Sequence, residues 1–143
     1  MSIPVKFSDV DVDFELPSQT FDIQRASMVR YAGASGDFNP IHWSEEFATG
    51  VGLPNVIAHG MLTMAIATRV VTDWLGDPGA VLDYGVRFTR PVVVPYHSGV
   101  KLLVGGKVRS TNEEDGTAVI VVNATVDGQS VLAQSRVTVR LAK

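Results

Sequence analysis

Gly60-Met61-Leu62-Thr63-Met64-Ala65-Ile66-Ala67-Thr68-Arg69-Val70-Val71-Thr72-Asp73-Trp74-Leu75 is the longest helical pattern in the chain, and it is apolar around nearly its whole circumference. A helix of that kind is normally enclosed on several sides. At 1.5 Å per residue it would run on the order of 24 Å, about the width of a small domain. Gly76-Asp77-Pro78-Gly79 stops it, because glycine and proline together cannot continue a helix. Arg69 and Asp73 break the apolar run, so the segment reads as a buried helix and no membrane insertion is expected.

Beyond residue 79 the periodicity changes from helical to strand-like. Residues 80–88, 100–109, 117–126 and 129–141 are rich in Val, Leu, Ile and Thr and read as strands. Asp127-Gly128 predicts a hairpin between the last two, since a type I′ turn requires positive φ at both central residues. Residues 112–116 join the preceding pair. Before the long helix, residues 10–16 alternate and then meet Pro17, which suggests a strand or edge strand followed by a loop. Ile23, Met28 and Tyr31 predict a short helix over residues 22–31 with Asp22 as its N-cap. Ser44, followed by Glu45, Glu46 and Phe47, predicts one or two further turns that Gly50 and Gly52 end. Strands grouped after a buried helix argue for an α+β fold in which an antiparallel sheet wraps around that helix. With no repeat, low-complexity tract or linker, the expectation is a single domain over residues 1–143.

Apolar residues make up 45% and charged residues 19%, so some core-like material is available for a subunit interface. A net charge of −3 leaves no electrostatic footprint for nucleic acid, and no Lys/Arg run suggests an anionic membrane surface. The absence of cysteine excludes disulfides, thiol nucleophiles and thiolate metal sites, and is compatible with a reducing cytoplasm. The first ten residues carry neither a basic-then-apolar leader nor a small-residue cleavage pattern. Small molecules or proteins are the expected partners.

The chemistry is concentrated in Tyr31-Ala32-Gly33-Ala34-Ser35-Gly36-Asp37-Phe38-Asn39-Pro40-Ile41-His42. In an unbroken helix Asp37 and His42 would sit about 140° apart around the axis. Pro40 prevents that helix, removing an N–H and pushing Asn39 towards an extended conformation. The resulting turn can bring carboxylate and imidazole to one spot, where together they could hold and deprotonate a water. The alternative is a plain turn, with Asp37 and Asn39 bonding their own backbone and His42 capping a helix.

A second constellation, Ala58-His59-Gly60-Met61, stands where the long helix begins. The first N–H groups of a helix have no internal partner, and the macrodipole adds positive charge there. Gly60 leaves room for a carbonyl oxygen to approach its N–H, as in an oxyanion hole. The alternative is that Gly60 permits tight packing and His59 caps or packs. Asp37, His42, Glu45 and His59 could in principle ligate a metal, but there is no His-x-x-x-His pair and no cysteine, so no metal site is expected. His97 reads as a loop residue. No Walker loop and no Gly-x-Gly-x-x-Gly suggests nucleotide chemistry.

Tyr31 and Ser35-Gly36-Asp37-x-Asn39-Pro40-x-His42, with Ala48 following, closely resemble the hydratase-2 signature of the MaoC-like (R)-specific enoyl hydratases and dehydratases. The likeness continues through residues 57–61 and Val86-Arg87-Phe88. Residues 58–64 and 71–80 further resemble the catalytic beta subunits of the (3R)-hydroxyacyl-ACP dehydratases of mycolic acid synthesis. The resemblance implies a hot-dog fold and a homodimer, or a heterodimer with a related hot-dog subunit. It also implies a pantetheine-bound acyl chain, carried on ACP or coenzyme A, and no cofactor. Asp37 and His42 correspond to the catalytic pair and Gly60 to the backbone donor for the thioester carbonyl. With Gly60, the expected substrate-binding residues are Asn39, which matches the Asn that shapes the loop, His59, and Thr68, which lies where some members carry a Ser near the active site. The implied reaction interconverts trans-2-enoyl and (3R)-3-hydroxyacyl thioesters in fatty-acid or mycolic-acid elongation. Thioester hydrolysis and a non-catalytic scaffolding subunit are the competing functions.

Overall fold

The computed structural model describes residues 5–143; residues 1–4, part of the stretch read for a targeting leader, lie outside the described residues. Strand β1 (Glu15–Ile23) and helix α1 (Arg25–Ser35) are followed by a single 3₁₀ turn, Pro40–His42, and a short helix α2 (Glu45–Gly50). Helix α3 (Gly60–Leu75) then precedes β2 (Val81–Phe88), β3 (Val100–Asn112), β4 (Thr117–Val126), β5 (Gln129–Ser130) and β6 (Leu132–Arg140). The six strands form one antiparallel sheet in the order β1-β3-β4-β6-β2, with β5 paired to β4. Helix α3 packs against β1, β2, β3 and β4. This is the helix-on-sheet arrangement expected of a hot-dog fold.

Alternation along the strands makes the contact possible. Ala118, Ile120, Val122 and Ala124 of β4 point into the core, while Val121 and Asn123 between them face out. Val137 and Val139 of β6 and Leu102, Val104 and Val108 of β3 extend the same apolar face. From α3 the core receives Thr63, Ala67, Val70, Val71 and Leu75, spaced so that they share one side of the helix. The opposite side is not enclosed as the apolar sequence predicts. Met61 is 58% exposed and Ala65 and Arg69 also face outward, because a single sheet covers only one side of a helix.

Two further expectations need correction. Pro17 lies inside a strand and does not end one, since β1 pairs only with β3 and a register shift between Leu16 and Gln19 absorbs the missing N–H. The first helix starts later than expected and is capped by Gln24 in a reciprocal box with Ser27, because Asp22 belongs to β1, opposite Lys101. Other local signals hold. Ser44 accepts from the Phe47 N–H at the start of α2, Gly76 ends α3 at φ 69°, and Asp127 and Gly128 take φ 49° and 76° in the hairpin. The last predicted strand is divided at Val131, whose N–H bonds Ala124 O, into β5 and β6. Among the described residues no helix is long and apolar enough to cross a membrane.

Neighbouring β4 residues should therefore respond differently to substitution. Ile120→Ala, at a side chain with no exposed surface, is expected to lose about 2–5 kcal/mol of stability. Val121→Thr, on the outward face, should stay within about 0.5 kcal/mol. Urea unfolding of the two variants measures both.

Candidate functional site

Helix α1 ends where Gly36 takes φ 75° and returns its N–H to Ala32 O at 2.9 Å. From there three side chains each hold the backbone N–H two residues ahead. Ser35 Oγ accepts from Asp37 N at 3.2 Å, Asp37 Oδ1 from Asn39 N at 3.1 Å, and Asn39 Oδ1 from Ile41 N at 3.2 Å. Polar residues with short side chains at alternate positions are what such successive turns require. Asn39 is also the N-cap of the Pro40–His42 turn, and Pro40 supplies its first residue. The plain-turn and chemical readings of this segment are thus compatible: one Asp37 oxygen shapes the loop and the other faces His42.

His42 is buried, at 8% exposure, and its Nε2 lies 3.8 Å from Asp37 Oδ2. Its Nδ1 is 2.7 Å from Ile57 O. A carbonyl only accepts, so Nδ1 carries a hydrogen, and Nε2, the nitrogen left bare in that tautomer, is the one facing Asp37. Residues 56–58 that carry this carbonyl are themselves held in place, with Ile57 N–H donating to Ile41 O, Ala58 N–H to Val92 O and Val94 N–H to Val56 O. Arg25 reinforces the frame by donating to Val94 O, Glu45 and Asn55. Glu45 is accordingly engaged in an ion pair at 2.7 Å.

Gly60 is the first residue of α3. It and His42 line one cavity of about 400 Å³, together with Thr63, Phe88, Arg90 and Val131. A Cβ on Gly60 would stand 3.1–3.3 Å from the Phe88 ring, closer than ordinary contact. Asn39 is exposed and shapes the loop without lining the cavity. Thr68 is also absent from the wall; its hydroxyl donates to Met64 O within α3. Thr63 and Phe88 are wall residues that the site reading omits. Thr63 follows from Gly60 by helical spacing, whereas Phe88 arrives by strand pairing, its one sequence signal being the Val86-Arg87-Phe88 resemblance.

His59 stands behind His42, not in the cavity wall. Only 1% exposed, it stacks on the His42 ring with centroids 3.8 Å apart and planes 22° apart, and Tyr31 meets it edge-on at 4.8 Å. Its Nε2 lies 3.1 Å from Asp37 O. Burial holds its pKa below the ordinary value near 6.5, and the neighbouring His42 adds to that, while the Asp37 carbonyl and carboxylate oppose it. Asp37, His42 and His59 bring potential ligand atoms within 4.8 Å of one another. Stacked rings nevertheless aim their in-plane lone pairs along nearly parallel planes, which is poor geometry for a shared ion at about 2.0–2.1 Å.

A sheet packed on one long helix defines a hot-dog domain, with an aspartate and a histidine gathered beside that helix's first turn. Residues 8–126 match the family model described as MaoC like domain, and the chain belongs to that family. It is 37% identical over 89 residues to 3-hydroxyacyl-thioester dehydratase X of Mycobacterium tuberculosis, covering 62% of this chain and 31% of that protein. A solved structure titled MaoC-like dehydratase superposes at a TM-score of 0.94 with 42% identity, covering 97% of this chain and 43% of its own. The HadBC (3R-hydroxyacyl-ACP dehydratase) complex from Mycobacterium tuberculosis shares the fold at a TM-score of 0.72, with 24% identity over 90% of this chain and 95% of the other. The chain thus spans less than half the length of the first two relatives.

The buried His59 makes stability depend on pH. As pH falls through about 6.5 the unfolded chain protonates this residue while the folded protein resists, so unfolding takes up protons. The contribution is complete above that pH and is lost as pH falls towards the depressed folded value. Urea midpoints should therefore decline between about pH 7.5 and pH 5.5, and His59→Gln should reduce that decline.

Proposed function

We propose that this domain catalyses reversible hydration of trans-2-enoyl thioesters to (3R)-3-hydroxyacyl thioesters. The observation that carries the reading is the buried His42, tautomer-locked by Ile57 O, with its bare Nε2 facing Asp37 and its ring sharing a cavity with the first residue of α3. The named activities of the dehydratase relatives lie in the same class.

In the hydration direction a water is hydrogen-bonded by Asp37 and His42. His42 Nε2 takes one of its protons as the oxygen bonds to C3. The C2–C3 π electrons move towards the thioester carbonyl, and the developing enolate oxygen accepts the Gly60 N–H at the positive end of α3. The proton held by the Asp37-His42 pair then passes to C2, so that the elements of one water have been added. Dehydration is the same path reversed, and neither direction calls for a cofactor.

The acyl group is proposed to be carried on pantetheine, as acyl-ACP or acyl-CoA. A second hot-dog subunit, identical or related, would meet the chain along the β2 edge, where Leu82 and Phe88 are 45% and 47% exposed. One domain over residues 1–143 acting in the cytoplasm, in fatty-acid or mycolic-acid elongation, completes the reading. The single-domain part is supported by the one apolar core among the described residues.

Crotonyl-CoA assays test the function. Loss of enoyl absorbance without free thiol is expected, and release of thiol would indicate hydrolysis instead. Asp37→Asn and His42→Ala should each lower kcat by roughly 10²–10⁴-fold while circular dichroism remains that of the folded chain; full activity in both sinks the assignment. Gly60→Ala should lower kcat/KM about tenfold or more, because the added methyl presses on Phe88 and crowds the N–H.

A further inference from the structure

His59 occupies the N-cap position of α3, yet its side chain makes no capping bond. The helix end is served by the His59 carbonyl, which accepts from Thr63 N–H at 3.1 Å and Thr63 Oγ1 at 3.3 Å. The ring is turned the other way, into the small apolar space lined by Met28, Ala32, Phe38 and Trp43 as well as the two imidazoles. There Nε2 meets Asp37 O. Because that carbonyl can only accept, Nε2 carries the hydrogen and Nδ1 is left bare.

Nδ1 is buried and has no hydrogen-bond partner among the described residues. Protonating it would create a buried donor with nothing to receive it, in addition to the cost of a buried charge. The titratable groups against the ring are Tyr31 from α1, Asp37 from the following loop and His42 from the 3₁₀ turn. Only Asp37 favours a charge on His59, and its side chain is 51% exposed to solvent. The two stacked imidazoles therefore differ in role: His42 has a free nitrogen facing Asp37, and His59 has its one hydrogen committed to main chain.

We propose that His59 is a positioning residue, a neutral imidazole whose Nε2–H clamps the Asp37 carbonyl while its face supports the His42 ring. The clamp holds the Asp37 carboxylate and His42 Nε2 at their working separation. It accounts for a buried histidine that does not itself line the cavity and is 1% exposed, and it rests on the reading of Asp37 and His42 as the acid-base pair.

Two variants separate the clamp from simple filling of space. His59→Phe keeps a ring against His42 and loses the donor; His59→Gln supplies an amide N–H that reaches as far as Nε2. With crotonyl-CoA, kcat of His59→Phe should fall at least about tenfold below that of His59→Gln, with KM within about threefold. A smaller ratio, or a loss confined to KM, overturns the clamp. Long-range ¹⁵N–¹H spectra of the wild-type chain give a readout independent of turnover, since it contains three histidines. One of them, removed by His59→Gln, should be the Nε2–H tautomer and take up its second proton only below the ordinary histidine range. A His59 that is the Nδ1–H tautomer, or that titrates at or above the ordinary histidine value, overturns the proposal even if a variant fails to fold. An inactive wild-type chain whose His59 spectrum is as expected would instead count against the hydratase reading alone.

Discussion

Burial of Ala67, Val70, Val71 and Leu75 against the sheet sets the axis of α3, and everything at the candidate site is referred to the end of that axis. Each of these side chains removes apolar surface from water, at about 25 cal/mol per Å². The helix therefore cannot rotate or slide without exposing its core stripe. Its first residue, Gly60, is fixed in direction as a consequence, and so is the set of N–H groups that no preceding turn can satisfy. The preceding residues 56–58 are tied to Ile41, Val92 and Val94 on either side. Burial far from the chemistry and hydrogen bonds close to it thus act on the same piece of backbone.

The loop carrying Asp37 is ordered differently, by polar bonds and with little burial of its own. Ser35, Asp37 and Asn39 each hold a backbone N–H two residues ahead, and Pro40 continues the turn. Such a loop is specified locally, but it needs an anchor to be placed relative to α3. That anchor is the pair of histidines. His42 bonds Ile57 O ahead of α3, and His59 reaches back from the first residue before α3 to Asp37 O. The two bonds run in opposite senses between the same two segments, with the rings stacked between them. An exposed carboxylate is thereby given a defined position beside a buried imidazole.

Much of this is legible in local sequence. The Gly60–Leu75 pattern, the Ser44 cap, the Asp127-Gly128 hairpin and the turn forced by Pro40 all depend on residues within a few positions of one another. Readings that failed locally did so where another segment intervened. Asp22 looks like a cap, but pairing with β3 keeps it in a strand, and Pro17 looks like a terminator until the strand is known to lie at an edge.

The sequence by itself determined the class of fold, through periodicity and turn chemistry, and nominated Asp37, His42 and Gly60, because residue type and spacing limit what a turn and a helix start can do. Only the tertiary structure decided which nitrogen of His42 is bare, that His59 supports the pair from behind, that Thr68 is turned to its own helix, and that Phe88 and Arg90 complete the cavity. The physical reason is that tautomers, stacking and cavity walls depend on which atoms from distant segments meet, and those meetings follow from burial of α3 against strands that lie later in the chain.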